Sequence, residues 1–153
     1  MRLQLTKRSD YAIRACLLLA MNEDGTPVSS RRIAERMAIP DRFLPQVLAD
    51  LGRAGVVTAT TGKHGGYRLS RDPIGLSLLE LIETIEGPSH SEHCVLEQRP
   101  CDGDAACALH PVWASAQTAF TRVLATTSLA AIVDRQRASD GSGCALPRER
   151  MEP

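Results

Sequence analysis

At 153 residues the chain has the length of about one domain with a real core, and its formal net charge is zero. Its longest apolar run, Ala15 to Met21, falls far short of the ~20 residues that span a bilayer, and the N-terminus is charged from Arg2 and lacks a signal peptide's apolar core. Those features argue against membrane association and point to the cytoplasm, where the five cysteines stay reduced and metal or redox chemistry is a better account of them than a disulfide scaffold.

The zero net charge conceals two unlike halves. Residues 1–71 carry twelve Lys/Arg against six Asp/Glu, and residues 72–153 reverse the ratio, six against twelve. A basic half joined to an acidic half predicts that one end meets a polyanion and the other serves a different purpose.

In chain order, Tyr11, Ile13, Cys16, Leu17, Leu18, Leu19 and Ala20 fill a helical window, with Asp10 at its start as N-cap or first-turn acid. "NEDGTP" breaks the pattern. A short second helix follows, capped by Ser29 or Ser30, with Ile33, Ala34 and Met37 on one face. "AIPD" predicts a tight turn. Beyond it Asp41 is positioned to cap a third helix whose Phe43, Leu44, Val47, Leu48 and Leu51 form one apolar stripe, stopped by Gly52 and Gly55. β-Branched "VVTAT", the turn residues "GKHGG" and the short return Tyr67-Arg68-Leu69 then predict a hairpin. Helix, short helix, tight turn, helix, hairpin is the order of a winged helix-turn-helix, so the fold expected is mainly α with a small β-hairpin wing. The helix after the turn is the one that enters a major groove.

Its outward positions are Arg42, Gln46, Asp50 and Arg53. Arg42 and Gln46 suit base edges, since arginine forks onto guanine and glutamine onto adenine. Arg31 and Arg32 on the preceding helix, with Lys63, His64 and Arg68 on the wing, are the candidates for phosphate contact. Residues 1–72 are thus assigned to DNA binding.

In the acidic half "SLLELIETIEG" predicts a short helix closed at Gly87-Pro88. From about Ala108 a long amphipathic helix carries Leu109, Val112, Trp113, Ala116, Phe120, Val123 and Leu124. "TTSLAAIVDRQ" adds a last turn or two capped by Thr127 or Ser128, and residues 138–153 read as a disordered tail. A long apolar stripe outside a compact winged helix either folds back on its own domain or pairs with a second copy; pairing suits a near-palindromic DNA site, and residues 73–137 are assigned to a cysteine loop and dimerisation helices.

Between the two acidic-half helices lies "CVLEQRPCDGDAACALH", with Cys94, Cys101 and Cys107 spaced C-x6-C-x5-C. Thiolates select iron–sulfur clusters, zinc or Cu(I). Neither gap is the tight knuckle of a structural zinc site, and wide gaps suit a larger object such as a cluster. Three cysteines leave a fourth position open. No C-x-x-C pair, dinucleotide-binding or P-loop glycine pattern, or nucleophile–base constellation is present, so an enzyme is not expected.

From Met1 to about Arg137 the chain resembles the IscR/NsrR/RirA family of bacterial winged-helix regulators. The matching stretches are "LTKRSDYAIRA", "IAERMAIPDRFLPQVLADLGRAGVV", "GKHGGYRLSRDP" and the three-cysteine loop running into "ALHPVW". The resemblance implies a homodimer that binds double-stranded DNA and holds an iron–sulfur cluster, 4Fe-4S or 2Fe-2S, through Cys94, Cys101 and Cys107. The fourth ligand it implies is either Asp10, donated by the other subunit, or His110, with His93 a third candidate. The first gap is often five residues in the family and is six here. Thr61-Gly62 stands where relatives often carry Arg-Gly. The expected function is a transcriptional regulator, a repressor, whose operator affinity follows a cluster sensing nitric oxide, redox state or iron and cluster supply. The alternative is sensing through zinc or direct cysteine oxidation.

Overall fold

The first helix, α1 (Lys7–Met21), begins one turn earlier than its apolar window, because Thr6 rather than Asp10 is the N-cap: its hydroxyl accepts the Ser9 N–H at 3.2 Å. Asp10 takes the other role open to it, a first-turn acid. The computed structural model describes residues 5–22, 24–88 and 108–139. After α1 come α2 (Ser30–Met37), α3 (Leu44–Arg53), β1 (Val57–Thr60), β2 (Gly66–Leu69), a single 3-10 turn at Pro73–Gly75, α4 (Leu78–Glu86), α5 (His110–Thr126) and α6 (Leu129–Ser139).

Ser29 caps α2 by accepting the Arg32 N–H at 3.2 Å, and α2 ends on Ala38 in the left-handed region, φ 50°. The turn that follows corrects one expectation. Asp41 does not cap α3; the Phe43 N–H closes on the Pro40 carbonyl at 3.0 Å, so the helix starts at Leu44 with Phe43 in the cap position and no side-chain cap. Pro45 then falls in the first turn, where a missing N–H leaves no intrahelical bond unmade. The stop is also simpler than expected, since α3 runs through Gly52 and only Gly55, at φ +69°, turns the chain. The Gly55 N–H reaches the Gly52 carbonyl at 3.0 Å and the Val56 N–H the Leu51 carbonyl at 2.9 Å, which is a Schellman closure.

The strands pair antiparallel in the register Val57↔Leu69, Thr58↔Arg68, Ala59↔Tyr67 and Thr60↔Gly66. Val28 pairs with β2 in an isolated antiparallel bridge, exchanging two backbone hydrogen bonds with Tyr67 at 2.9 and 2.8 Å, and so ties the wing to the residue just before the α2 cap. This close approach needs Gly66, where a Cβ would sit 2.5 Å from the Val28 carbonyl carbon and oxygen.

The core gathers around α1: Ala12, Ala15, Cys16 and Leu17 are buried with Ile33 of α2, with Leu44, Val47, Leu48 and Leu51 of α3, and with Leu76 and Leu81. Full burial of each leucine or isoleucine contributes about 1.5–3 kcal/mol. The closing helix is longer than the turn or two expected. Ser128 caps it, accepting the Ala131 N–H at 3.2 Å, and Leu129 and Val133 enter the core. Backbone bonds Leu129 N–H to Leu76 carbonyl, 2.7 Å, and Leu78 N–H to Thr127 carbonyl, 3.0 Å, fasten its start to the α4 cap region. The tail beyond residue 139 lies outside the described residues.

Gly66→Ala is expected to cost at least about 1–3 kcal/mol through overpacking against Val28. Gly75→Ala, where an added Cβ meets open space, is expected to be close to neutral. Urea denaturation of both variants checks the contrast.

Candidate functional site

The residues expected to meet DNA lie on three elements. Arg42 and Phe43 sit in the turn ahead of α3, where the Arg42 guanidinium stands 4.6 Å over the Phe43 ring and Phe43 stacks on Tyr11 of α1 with centroids 5.9 Å apart. That column seats Arg42 at the head of the helix through a cation–π contact. Gln46 is exposed one turn further on and donates its side-chain N–H to the Asp50 carboxylate at 3.0 Å. Arg31 and Arg32 are exposed at the start of α2; Arg31 pairs with Glu35 at 2.8 Å, a surface pair worth little. Lys63 and His64 are exposed in the turn between β1 and β2, and Arg68 is exposed on β2. The structure thus places Arg42, Gln46, Arg31, Arg32, Lys63, His64 and Arg68 on the surfaces of the helix-turn-helix and its wing.

The cysteine-bearing half is described in part. Cys94, Cys101, Cys107 and His93 lie outside the described residues, between the end of α4 and the start of α5. Cys16, by contrast, is buried in α1, and burial pushes its thiol up to about 12, so it is held as an inert core thiol. Asp10 is part-exposed and gripped by Arg14, whose Nε and Nη2 donate to its two oxygens at 2.9 and 2.6 Å; Arg14 also donates to the Met37 carbonyl at 3.3 Å. His110 opens α5, exposed, with Leu109 in the cap position and no side-chain cap. Among the described residues no three His, Cys, Asp or Glu side chains converge as a metal site. Of the residues expected as a fourth ligand, the described residues include Asp10, a part-exposed carboxylate paired with Arg14, and His110, an exposed imidazole.

Sequence reasoning missed Glu86. At the end of α4 its carboxylate accepts the Thr6 hydroxyl at 2.9 Å, the Thr6 N–H at 3.3 Å and a short bond from the buried Ser9 hydroxyl. A carboxylate from one helix thereby docks on the N-terminus of another, where the helix dipole also favours it. Those hydrogen bonds, the Ser9 bond first, hold Glu86 below the usual glutamate range. The contact fixes the last turn before the cysteine loop against the first turn of α1. A second missed contact joins Arg8 of that same turn to Asp50 of α3 at 2.5 Å.

Because the folded-state value of Glu86 is lowered, its contribution to stability is full above the ordinary glutamate range and is lost as pH falls through the lowered value. Glu86→Gln is expected to lower stability at pH 7 by no more than about 1 kcal/mol, the contact being solvent-screened, and to converge with the wild type in acid. Urea denaturation from pH 7 to pH 3 checks both statements.

The apolar residues of α5 form one stripe. Trp113 and Leu124 are half-buried at one edge of it and the helix packs on α4, while Val112, Phe120 and Val123 are 66%, 45% and 59% exposed. No helix among the described residues is long and apolar enough to cross a membrane.

Comparison with known proteins agrees with this architecture. The Rrf2 family, described as an iron-dependent transcriptional regulator, matches residues 5–135. The protein rrf2 of Nitratidesulfovibrio vulgaris is 33% identical over 128 residues, covering 84% of this chain and 85% of that protein. Among solved structures, IscR of T. potens superposes with a TM-score of 0.71 at 25% identity, over 97% of this chain and 96% of that one. CymR, the global cysteine regulator of B. subtilis, superposes with a TM-score of 0.75 over 88% of this chain and 98% of that one; at 24% identity it speaks for the fold alone.

Proposed function

The chain belongs to the Rrf2 family of winged-helix transcriptional regulators, and from that premise we propose that it is a homodimeric, cytoplasmic repressor whose operator affinity is set by an iron–sulfur cluster. The observation that carries the reading is the place of α3: its head is seated by the Arg42–Phe43–Tyr11 column, with Gln46 exposed and the wing tied to α2 beside it. Arg42 and Gln46 read base edges in the major groove of a near-palindromic site, and Arg31, Arg32, Lys63, His64 and Arg68 hold phosphates. Residues 1–72 do the reading and residues 73–137 the sensing and pairing, although both share one core through Leu81 and Leu129.

Cys94, Cys101 and Cys107 would hold the cluster, 4Fe-4S or 2Fe-2S, with Asp10 of the second copy in the fourth position. When bound, such a centre supplies chemistry that nitric oxide, oxidation or iron shortage alters. Arg14 matters to this assignment: a carboxylate already neutralised by a two-pronged guanidinium is a weak, exchangeable ligand, which suits a site meant to be lost. His110 is the second reading, favoured by its exposure three residues after Cys107. The apolar stripe Val112, Phe120 and Val123 is the surface a second copy covers.

The chain's own residues link the two ends. Thr6, Arg8, Ser9 and Asp10 all belong to the start of α1; Thr6 and Ser9 take the last residue of α4 before the cysteine loop, and Arg8 reaches Asp50 on α3. A displacement at the base of the loop therefore reaches the reading helix through one turn. A small change in the spacing of the two α3 helices of a dimer misaligns one of them with its half-site.

Native mass spectrometry of the anaerobically purified protein is expected to give a dimer carrying iron and sulfide. Cys94→Ala is expected to lose that mass while keeping helix content, and its operator binding is expected not to respond to the signal. A dimer that is zinc-loaded or metal-free after reconstitution overturns the cluster in favour of zinc or direct thiol oxidation.

Asp10→Ala and His110→Ala are expected to differ in absorption and circular dichroism of the loaded protein, with Asp10→Ala the altered one. An unchanged spectrum in both removes both as ligands.

A further inference from the structure

Asp50 is the one acid on α3, and it stands on the side that carries Gln46. A negative charge there repels the phosphate backbone, so its presence needs a reason. The carboxylate is only 11% exposed and lies beneath three donors. Arg8 of α1 donates to Oδ2 at 2.5 Å, Arg53 makes a short bond to Oδ1, and the Gln46 amide nitrogen donates to Oδ1 at 3.0 Å. An ionised carboxylate only accepts hydrogen bonds, so the group of Gln46 facing it is the nitrogen and not the oxygen.

We propose that Asp50 is a positioning residue for base recognition, which fixes the amide of Gln46 for adenine and keeps Arg8 and Arg53 from the phosphates. The proposal rests on the reading that Gln46 meets bases. A glutamine amide has two N–H groups and one carbonyl oxygen; with one N–H committed to Asp50, one donor and one acceptor remain. That pair is what the N7 acceptor and N6 donor of adenine require. Ordering the side chain before binding removes the entropy that a free glutamine loses on contact. The two arginines held by the same carboxylate are withheld from sequence-independent binding, so one acid sharpens selectivity at both ends of the ratio: it raises affinity for the right base and lowers affinity for any duplex.

The test is selection from a random duplex library with the protein as isolated, in the wild type, Gln46→Ala, Asp50→Ala, Asp50→Asn and the Gln46→Ala/Asp50→Ala double variant. Binding of the selected duplex and of a random duplex is then measured across a salt series. The expected result is an adenine preference in each half-site that Gln46→Ala abolishes. Asp50→Ala weakens it by about 2- to 10-fold, the cost of ordering one long side chain. The double variant is no worse than Gln46→Ala alone. Random-duplex binding tightens in Asp50→Ala and Asp50→Asn, with a salt slope steeper by about 1 to 2 as two arginines become available. Asp50→Asn keeps a carbonyl acceptor for Gln46 and is expected to retain the preference.

Full adenine preference in Asp50→Ala, or a loss that adds to that of Gln46→Ala, overturns the proposal while leaving Gln46 as a reader. Unchanged base preferences in Gln46→Ala overturn the reading of Gln46 and the proposal with it. Should Asp50→Ala fail to fold by circular dichroism, Asp50→Asn decides: unchanged random-duplex binding overturns the proposal, and tighter binding with the preference kept supports it.

Discussion

The small side chains on the buried face of α1 set the dimensions of the molecule. Ala12, Ala15 and Cys16 have no exposed surface, and α2, α3, α4, β2 and α6 all pack on the helix that carries them. A larger residue at any of the three would push a neighbouring element outward, because a close-packed core absorbs little extra volume. The reading helix, the wing and the helix that leads into the cysteine loop are therefore referred to one axis. Cys16 belongs to this constraint and not to the thiol chemistry; its burial keeps it protonated while it fills space that serine could fill only by burying a hydroxyl.

Charge is used for position more than for stability. Exposed pairs such as Arg31–Glu35 and Arg71–Glu80 contribute little. Asp10, Asp50 and Glu86 differ in having several donors each, and each joins a functional side chain or element to a neighbour. Asp10 takes both prongs of Arg14, which is itself bonded to the end of α2; Asp50 gathers α1 and two residues of α3; Glu86 seats the end of α4 on the start of α1. An acid with its acceptor sites filled has one geometry, and that is the property a reading surface needs.

Much of this was legible in the sequence, for local reasons. The stripe Leu44, Val47, Leu48 and Leu51 announces a buried helix, "GKHGG" announces the wing turn, and the Ser29 cap needs only its neighbours. Where the reading slipped, a competing local bond was at work. Asp41 is a good cap by type, but the Phe43 N–H already closes on Pro40, so the helix begins too late for it. Gly52 suits a helix end, yet Gly55 alone supplies the left-handed turn. The α6 stripe looked short because its hydrophobic content is modest; Leu129 and Val133 are buried by α1 and the segment before α4, neither of which is near in sequence. Arg8–Asp50 and Thr6–Glu86 join residues 42 and 80 apart, and no periodicity signals such a pairing. The C-x6-C-x5-C spacing is plain in the sequence and falls outside the described residues.

The first turn of α1 carries contacts to two other helices. The backbone hydrogen bonds of a helix hold its first turn as one unit, so two contacts made on that turn share one support. Glu86 binds that turn through one carboxylate oxygen, to Thr6 and Ser9, and Arg8 leaves it from the adjacent position toward Asp50. One contact leads to α4 and the other to α3. Thr6, Arg8 and Glu86 are exposed, but Ser9 is buried and the Asp50 carboxylate is only 11% exposed, so each contact runs from an exposed group to a covered one above the buried leucines. The apolar core fixes the fold, and above it these hydrogen bonds join α4 and α3 to one turn of α1, so the end of α4 and the helix after the turn are positioned by the same few polar groups.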